Sequence, residues 1–253
     1  MKTLFIGQNA IYLKSVDSTN SYATELLRQN KVSEGTIIYT FNQTNGRGQR
    51  GNSWETEPNK NVAFSLILQP HYLTADKQYL LTKITALAVS DLMAEMLKSS
   101  IKNERIEIKW PNDIYINGKK IGGILIENSL RDANIQSSII GIGININQTD
   151  FKTTTNSTSL ALIANKEFEL KETINRLCSF FEARYLQLKA NKLTEIDSDY
   201  LHRLYRLNSW NQFSMNNLLF EGKIIGVSES GKLLVQLRTE EIKEFDLKEI
   251  VFI

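Results

Sequence analysis

The sequence of 253 residues lacks features that identify several common classes of protein. Its one cysteine, Cys178, cannot form an internal disulfide, and its helical context predicts a small buried apolar residue. Its two histidines show no partner pattern of a nucleophilic enzyme. No apolar run exceeds about six residues, the length of 121–126, which is far too short for a membrane span. These absences argue against disulfide-rich and membrane-spanning classes.

Neither the N-terminus nor the overall charge indicates secretion or a charged partner. Residues 1–14 contain neither a long apolar segment nor a small-residue cleavage site, so a secretory signal peptide is not predicted. Lys plus Arg number 30 and Asp plus Glu number 28, which leaves a net charge of +2. This balance does not require a polyanionic partner. We therefore expect a soluble cytoplasmic protein that depends on neither a membrane nor DNA.

Hydrophobic periodicity predicts a mixed α+β domain over residues 1–207. Asn117-Gly118 is a strong β-hairpin signal, and residues 17–20 offer several N-cap candidates for the first helix. The predicted helices are residues 21–29, 76–97, 170–189 and 196–205. The predicted strands are residues 11–16, 36–41, 62–68, 105–110, 114–116, 121–128 and 138–147.

The pattern changes near residue 207. Residues 213–253 consist of short alternating segments separated by turns, which predicts a small β-barrel or sandwich. We place the domain boundary at 207–210, with a first domain of residues 1–207 and a small β domain of residues 208–253. A chain of this length suits such a division.

The stretch QTNGRGQRGNSW at 43–54 combines three glycines with two arginines. A dinucleotide-binding fingerprint requires a helix to open within the motif, but polar residues and Pro58 follow and lead into a strand. A P-loop requires Lys and then Ser or Thr after the last glycine, whereas Asn52 and Ser53 follow here. Both nucleotide-binding motifs are excluded, and an anion-binding loop and a solvated surface loop remain as interpretations.

The predicted strand SIIGIGININ at 138–147 has two different faces. Its isoleucines point to one side, while Gly141, Gly143, Asn145 and Asn147 point to the other. Paired glycines on one face indicate close approach by a ligand or by another backbone, including that of a packed helix. Lys120-Ile121-Gly122-Gly123 repeats this bare backbone beside a cation.

The stretch KWPND at 109–113 ends a strand and presents an amide and a carboxylate at its edge. Asp113 is a candidate ligand of Mg²⁺, which prefers oxygen ligands and often combines one or two carboxylates with substrate phosphates. An Asx turn between two strands is the alternative reading of the same pair.

Five motifs together resemble the biotin protein ligases. They span the first domain in the order of that family and are D-S-T-N at 17–20, Q-T-N-G-R-G-Q-R-G at 43–51, K-W-P-N-D at 109–113, K-K-I-G-G-I-L-I-E at 119–127 and G-I-G-I-N at 141–145. The resemblance implies a catalytic domain of mixed β-sheet flanked by helices, followed by a small SH3-like β-barrel.

The resemblance also implies a two-step reaction, that of a biotin--[acetyl-CoA-carboxylase] ligase. ATP, with Mg²⁺, activates biotin as biotinyl-5′-adenylate, and a lysine of a biotin carboxyl carrier domain then accepts the biotinyl group. Because two anions meet in the first step, cations are needed to offset their repulsion. No covalent enzyme intermediate is required, in agreement with the missing nucleophile pattern. The resemblance also allows a homodimer.

Site residues follow from the resemblance position by position. Lys120 and Arg47 are the expected catalytic residues, and Asp113 is the expected metal ligand. The expected biotin-binding residues are Ser18, Thr19, Asn20, Gln43, Arg47, Gly48, Gln49, Lys120, Gly122, Gly123, Gly141 and Gly143. The expected nucleotide-binding residues are Arg50, Trp54, Asn112 and Asn145.

The chain departs from the family in two places. The family commonly has a second arginine directly after G-R-G, which helps retain the adenylate, whereas this chain has Gln49 followed by Arg50. Some members carry an N-terminal helix-turn-helix domain, for which the sequence before residue 17 leaves no room, so repressor activity is not expected. The alternative functions are a lipoate ligase of the same fold and a non-catalytic module that binds a carrier protein or DNA.

Overall fold

The computed structural model describes residues 3–29, 32–98, 104–152, 154 and 156–253. Its first layer is a seven-stranded mixed sheet with the order β1-β2-β3-β7-β6-β5-β4. The strands are β1 (Ala10–Tyr12), β2 (Ile37–Thr40), β3 (Val62–Leu68), β4 (Ile106–Lys109), β5 (Asp113–Ile116), β6 (Lys119–Arg131) and β7 (Asn134–Ile144). Only β1 and β2 pair in parallel, and the other neighbours are antiparallel.

Helices cover both faces of this sheet. They are α1 (Thr19–Arg28), α2 (Tyr79–Leu97), α3 (Leu160–Ala164), α4 (Leu170–Lys189) and α5 (Leu193–His202). Helix α1 packs on β2, β3 and β7 over a small cluster of Ala23, Ile38, Ile67 and Ile139. Helices α2 and α4 pack together on the opposite face, over the main hydrophobic core. The α1 face is therefore only partly covered, and part of it stays open.

Alternation along the central strands assigns each residue to a face. Ile142 on β7 pairs with Phe64 on β3 and with Ile124 on β6, and all three are nearly fully buried in the main core. The next row, Ala63, Gly143 and Gly123, points to the opposite, α1 side of the sheet. The predicted division of β7 into an isoleucine face and a glycine face is thus present.

A second sheet follows the helices. It has the order β11-β10-β9-β8-β12, with β8 (Trp210–Met215), β9 (Leu218–Val227), β10 (Leu233–Leu237), β11 (Ile242–Phe245) and β12 (Val251–Phe252). The turn before β10 contacts the first sheet, since Trp110 Nε1 donates a 2.8 Å hydrogen bond to the Gly231 carbonyl. Gly231 has a φ of 93°, and a Cβ there would lie 2.4 Å from Tyr79 Cδ2. Close approach therefore requires glycine at this position.

The predicted fold class, a mixed sheet with flanking helices followed by a small β domain, is confirmed. Individual boundaries differ from the prediction. The strand predicted at 11–16 is limited to β1, and β7 ends at Ile144, three residues before its predicted end. Helix α2 begins at Tyr79 because residues 75–77 form a separate 3₁₀ turn. Among the described residues, no helix is long and apolar enough to cross a membrane.

The core face of β7 gives a first testable prediction. We expect Ile142→Asp to lower the free energy of unfolding by roughly 3–5 kcal/mol, because it buries a carboxylate without a partner. Ile253→Asp, at a residue that is 59% exposed, serves as the control and should cost less than about 1 kcal/mol. Urea denaturation of both variants measures the difference. Equal stability of the two variants would contradict the face assignment.

Candidate active site

A cavity of about 270 Å³ lies on the open, α1 side of the sheet. Segments that are distant in sequence meet there: the first turn of α1, the Gly-rich loop, the KWPND turn, and strands β6 and β7. Most of the predicted site residues line it, namely Ser18, Thr19, Asn20, Gln43, Arg47, Gly48, Gln49, Trp54, Asn112, Asp113, Lys120, Gly123, Gly141 and Gly143. The fold thus brings five separate motifs to one cavity.

Helix α1 supplies a rigid polar end to the cavity. Ser18 is the N-cap of the helix and accepts a hydrogen bond from the Ser21 amide, so the first turn is fixed. The Thr19 amide donates to Gln43 Oε1 at 3.0 Å, and Ser65 Oγ lies 2.7 Å from Thr19 Oγ1. Donors and acceptors are therefore concentrated at this end, where they suit the polar head of a small ligand.

Two glycines form a flat platform beneath Trp54. A Cβ at Gly143 would lie 2.5 Å from Trp54 Cε2, and one at Gly123 would lie 3.2 Å from Trp54 Cζ3. The indole thus rests directly on bare backbone, at two glycines that the family resemblance assigns to biotin binding. Trp54 Nε1 is buried and has no hydrogen-bond partner in the described part of the chain. An unpaired buried N–H donor lowers the stability of this arrangement, and no hydrogen bond from Nε1 to the described residues holds the indole in place.

Gly141 faces a different neighbour. A Cβ at this position would lie 2.4 Å from Asn20 Oδ1, so the glycine makes room for a protein side chain. Asn20 is only 3% exposed and accepts a 2.6 Å hydrogen bond from Ser65 Oγ. The glycine face was predicted to allow close approach by either a ligand or packed protein. Packing of Asn20 accounts for Gly141, whereas Gly143 forms part of the platform in the cavity.

Lys120 reaches the cavity because of an irregularity in β6. Ile114 pairs with Gly122 and Tyr115 pairs with Lys120, so Ile121 is an extra residue in the strand. A β-bulge of this kind redirects a side chain. A Cβ at Gly123 would lie 3.6 Å from Lys120 Cε, which shows that the lysine lies beside the platform.

The carboxylate of the KWPND turn is paired with a lysine of β6. Lys120 Nζ lies 2.6 Å from Asp113 Oδ1 and 5.7 Å from the centre of the Trp54 ring. Burial lowers the pKa of Lys109 from its usual value, although Asp113 opposes this shift. Burial, reinforced by the charge of Asp113, raises the pKa of Tyr115 to about 12. The tyrosine is therefore neutral at physiological pH, and Asp113 is balanced by lysines.

Asp113 alone does not make a magnesium site. Its carboxylate is engaged by Lys120, and no group of three His, Cys, Asp or Glu side chains able to hold a metal occurs within the described ranges. Mg²⁺ often takes only one or two protein carboxylates and completes its shell with substrate phosphates and water. Asp113 offers one carboxylate, which Lys120 occupies, so the residues do not form a resident metal site and the metal role of Asp113 stays a prediction.

The Gly-rich loop folds back on itself. Arg47 and Ser53 form a β-bridge, and the Trp54 amide donates to the Gly46 carbonyl at 2.9 Å. A 3₁₀ turn, Gln49–Gly51, forms the tip of the loop, and Gln49 lines the cavity. No α-helix begins within this loop, in agreement with the rejected dinucleotide motif. The side chain of Arg50, a predicted nucleotide contact, lies outside the described part of the structure.

Two predicted residues do not line the cavity. Gly122 shares a row with Ile144 and Val62, and a Cβ there would meet the Gly143 carbonyl and Ile114, so it belongs to the opposite face from Gly123. Adjacent residues of a strand point to opposite faces of the sheet, so Gly122 and Gly123 do not both face the cavity. The prediction assigned both glycines to ligand binding. Asn145 follows the end of β7, where its Nδ2 donates to the Thr158 carbonyl at 3.1 Å. In this position it fixes a loop and is separate from the cavity.

Some cavity residues gave no signal in the sequence. Leu247 and Lys248 reach the cavity from the second sheet, and Lys248 has a φ of 107°, an uncommon value for a residue other than glycine. Glu127, which lies beyond the cavity lining, was not among the predicted site residues, although its carboxylate binds Arg47 directly. Contacts between distant segments cannot be read from local spacing, which explains these omissions.

Comparison with known proteins assigns the segment that supplies most of the cavity residues to a known protein family. Residues 12–145 match the Biotin/lipoate A/B protein ligase family. The bifunctional ligase/repressor BirA of Bacillus subtilis is 35% identical over 242 residues, which cover 93% of this chain and 72% of that protein. The biotin--[acetyl-CoA-carboxylase] ligase of Paracoccus denitrificans is 35% identical over 136 residues, 53% of each chain.

Solved structures agree with this match. The biotin protein ligase of Aquifex aeolicus in complex with biotin and ATP superimposes with a TM-score of 0.79 at 29% sequence identity. The alignment covers 96% of this chain and 98% of that structure, so both the first sheet and the second sheet lie within it.

The platform gives a second prediction. We expect Gly143→Ala to weaken binding of biotin, the ligand of the Aquifex aeolicus structure, by roughly tenfold or more, because an added methyl group in a filled site typically costs about 1–3 kcal/mol. Isothermal titration calorimetry measures the affinity. The melting temperature should change little, since the new Cβ meets a side chain without polar anchoring.

Gly226→Ala is the matched control, because its Cβ would make ordinary contacts with Leu201 at 3.5 Å and with Leu234 at 3.9 Å, and Gly226 does not line the cavity. Normal biotin affinity in Gly143→Ala would show that the ligand ring lies elsewhere.

Proposed function

The chain belongs to the Biotin/lipoate A/B protein ligase family, and on that premise we propose that it is a biotin--[acetyl-CoA-carboxylase] ligase. It activates biotin with ATP to biotinyl-5′-adenylate and transfers the biotinyl group to a lysine of a biotin carboxyl carrier protein. The observation that carries this proposal is one cavity that combines a polar end, a platform of bare backbone and two cations, Arg47 and Lys120.

The three parts of the cavity match the three parts of biotin. Thr19 and Gln43 offer hydrogen-bonding groups for the ureido ring, and the glycine platform admits a flat bicyclic body without a clash. Lys120, beside the platform, and Arg47, on the Gly-rich loop, line the same cavity and supply positive charge for a carboxylate and a phosphate. A ligand that combines a polar head, an apolar ring and an anionic group would satisfy all three.

The first half-reaction requires charge stabilisation. An oxygen of the biotin carboxylate attacks the α-phosphorus of ATP, the new P–O bond forms, and pyrophosphate leaves with the electrons of the broken bond. Guanidinium and ammonium groups held in position stabilise the charge that develops in this transition state. Arg47 and Lys120 perform this role in the proposed mechanism, and no step is assigned to a protein-bound metal.

The second half-reaction uses the activated acyl group. A neutral lysine amine of the carrier attacks the acyl carbon, a C–N bond forms, AMP leaves, and the amine proton passes to solvent. No side chain of the enzyme becomes acylated. Cys178 is buried and burial raises its thiol pKa to about 12, which suits a structural residue and not a nucleophile.

We further propose the domain division at residues 207 and 208, between α5 and β8, and a cytoplasmic location. The predicted absence of DNA binding and the option of a homodimer stay predictions. Arg50 and Asn145 likewise remain predicted nucleotide contacts, although Asn145 would have to leave its hydrogen bond to Thr158 to reach a ligand in the cavity.

Transfer to a carrier domain is the third prediction and the direct test of the function. We expect a biotin carboxyl carrier domain incubated with the protein, biotin and MgATP to gain the mass of one biotinyl group at a single lysine. Intact-mass spectrometry measures the product. Incubation with lipoate in place of biotin is the control, and modification by lipoate alone would assign the chain to the other branch of its family.

Lys120 provides a fourth prediction. We expect Lys120→Ala to slow biotin-dependent pyrophosphate release by about 10²–10³-fold, since removal of one preorganised charge-stabilising donor has an effect of that size. The melting temperature should change little, because the ion pair with Asp113 is partly exposed.

Lys119→Ala is the matched control for this experiment. Lys119 precedes Lys120 on the same strand and is exposed, outside the cavity lining. It should retain the wild-type rate. Similar rates for the two variants would remove Lys120 from the reaction.

A further inference from the structure

The indole of Trp54 occupies the platform of the cavity. A Cβ at Gly143 would lie 2.5 Å from its Cε2 atom and 2.8 Å from both Cζ2 and Nε1, while a Cβ at Gly123 would lie 3.2 Å from Cζ3. The side of the indole that carries Nε1 therefore lies on β7, and the opposite side of its six-membered ring lies on β6. The indole covers both bare positions, so a ligand ring cannot lie on the platform at the same time.

A second tryptophan, Trp110, shows how a permanently packed indole is held in this protein. It is 5% exposed, and its Nε1 donates a 2.8 Å hydrogen bond to the Gly231 carbonyl. Buried indole N–H groups usually have such an acceptor. Trp54 Nε1 is also buried, but it has no acceptor among the described residues. The platform therefore gives the indole apolar contact without a polar anchor.

Gly141, two residues before Gly143 on β7, also lies against a side chain, but that side chain is fixed. Asn20 fills the space over Gly141, accepts a 2.6 Å hydrogen bond from Ser65 Oγ and donates one of 2.7 Å to Glu127 Oε2. The indole over Gly143 makes no corresponding hydrogen bond to the described part of the chain. Of these two side chains, only the indole can leave its glycine without breaking a hydrogen bond.

The main chain at Trp54 is held more firmly than the ring. Its amide donates to the Gly46 carbonyl at 2.9 Å, and Arg47 and Ser53 form a β-bridge one residue further into the loop. A Cβ at Gly46 would lie 2.7 Å from the Trp54 carbonyl oxygen, so this close return of the chain requires glycine. Rotation about the side-chain torsions of Trp54 moves the ring and does not require either contact to break.

We propose that Trp54 is an intramolecular competitor of biotin: its indole closes the platform, and biotin binds those molecules in which the ring has swung away. This inference rests on the proposed function. The alternative is a permanent wall that stays in place beside the bound ligand. The unpaired Nε1 favours displacement, because the permanently packed Trp110 has the hydrogen bond that Trp54 lacks.

The competition has a measurable effect on affinity. A minor conformation typically makes up about one tenth of the molecules or less, and the apparent dissociation constant of a ligand that binds only this conformation rises by the reciprocal of that fraction. The indole should therefore weaken biotin binding at least about tenfold.

Removal of the indole tests this effect. We expect Trp54→Ala to bind biotin at least about tenfold more tightly than wild type, as measured by isothermal titration calorimetry. ATP is omitted, because the family resemblance assigns Trp54 to the nucleotide. Trp210→Ala, at a tryptophan of β8 outside the cavity lining, is the matched control and should bind biotin like wild type. Unchanged or weaker biotin binding by Trp54→Ala would overturn the proposal.

A second measurement needs no ligand. Gly143→Ala adds a methyl group beneath the indole and should lift it from the platform, so that acrylamide quenches its fluorescence several-fold more strongly. The protein has three tryptophans, and the assay uses a Trp210→Phe background in which the remaining one, Trp110, is buried. Gly226→Ala in this background is the control, since its Cβ makes only ordinary contacts. Equal quenching of the two variants would show that the indole does not rest on Gly143.

The two measurements separate the competition from the proposed function. Absence of biotin binding in both wild type and Trp54→Ala would refute the function and with it the competition, while the quenching result would still decide whether the indole covers the platform. Biotin binding by wild type without a gain in Trp54→Ala would refute the competition alone.

Discussion

Three positions on the α1 side of the central strands carry no side chain, and the architecture of the cavity depends on them. Gly123 and Gly143 leave a platform of bare backbone, and Gly141 leaves the space that Asn20 fills. Any side chain at these positions would meet Trp54 or Asn20 at or below van der Waals distance. The opposite face of the same strands is packed with isoleucine, and this close packing restricts movement of the platform.

The charged and aromatic groups of the cavity contact protein groups within or beside it. Trp54 covers the platform, Lys120 pairs with Asp113, and Arg47 pairs with Glu127. In the proposed function, ligand binding is an exchange of partners in which biotin would take the place of the indole and phosphate oxygens would join the cations. The indole has the weakest attachment of the three, because its Nε1 finds no acceptor within the described residues. It is therefore the group expected to move first.

Local patterns in the sequence predicted much of this arrangement. Period-two alternation identified the glycine face of β7, and motif order identified the family. The same alternation excludes Gly122 from the face of Gly123, while the bulge at Ile121 that brings Lys120 to the cavity leaves no mark in the spacing. The end of β7 at Ile144 and the approach of Lys248 from the second sheet depend on long-range packing. These features could not be predicted from the sequence, because they arise from contacts between distant segments of the chain.

The central claim is that the platform at Gly143 is the seat of the biotin ring. A crystal structure of the wild-type protein with biotin and a non-hydrolysable ATP analogue tests it most directly. The account predicts that the bicyclic ring lies on Gly143, that the Trp54 indole has left the platform, and that Arg47 and Lys120 contact the carboxylate or the α-phosphate. A structure with biotin bound elsewhere while the indole still covers Gly143 would contradict it.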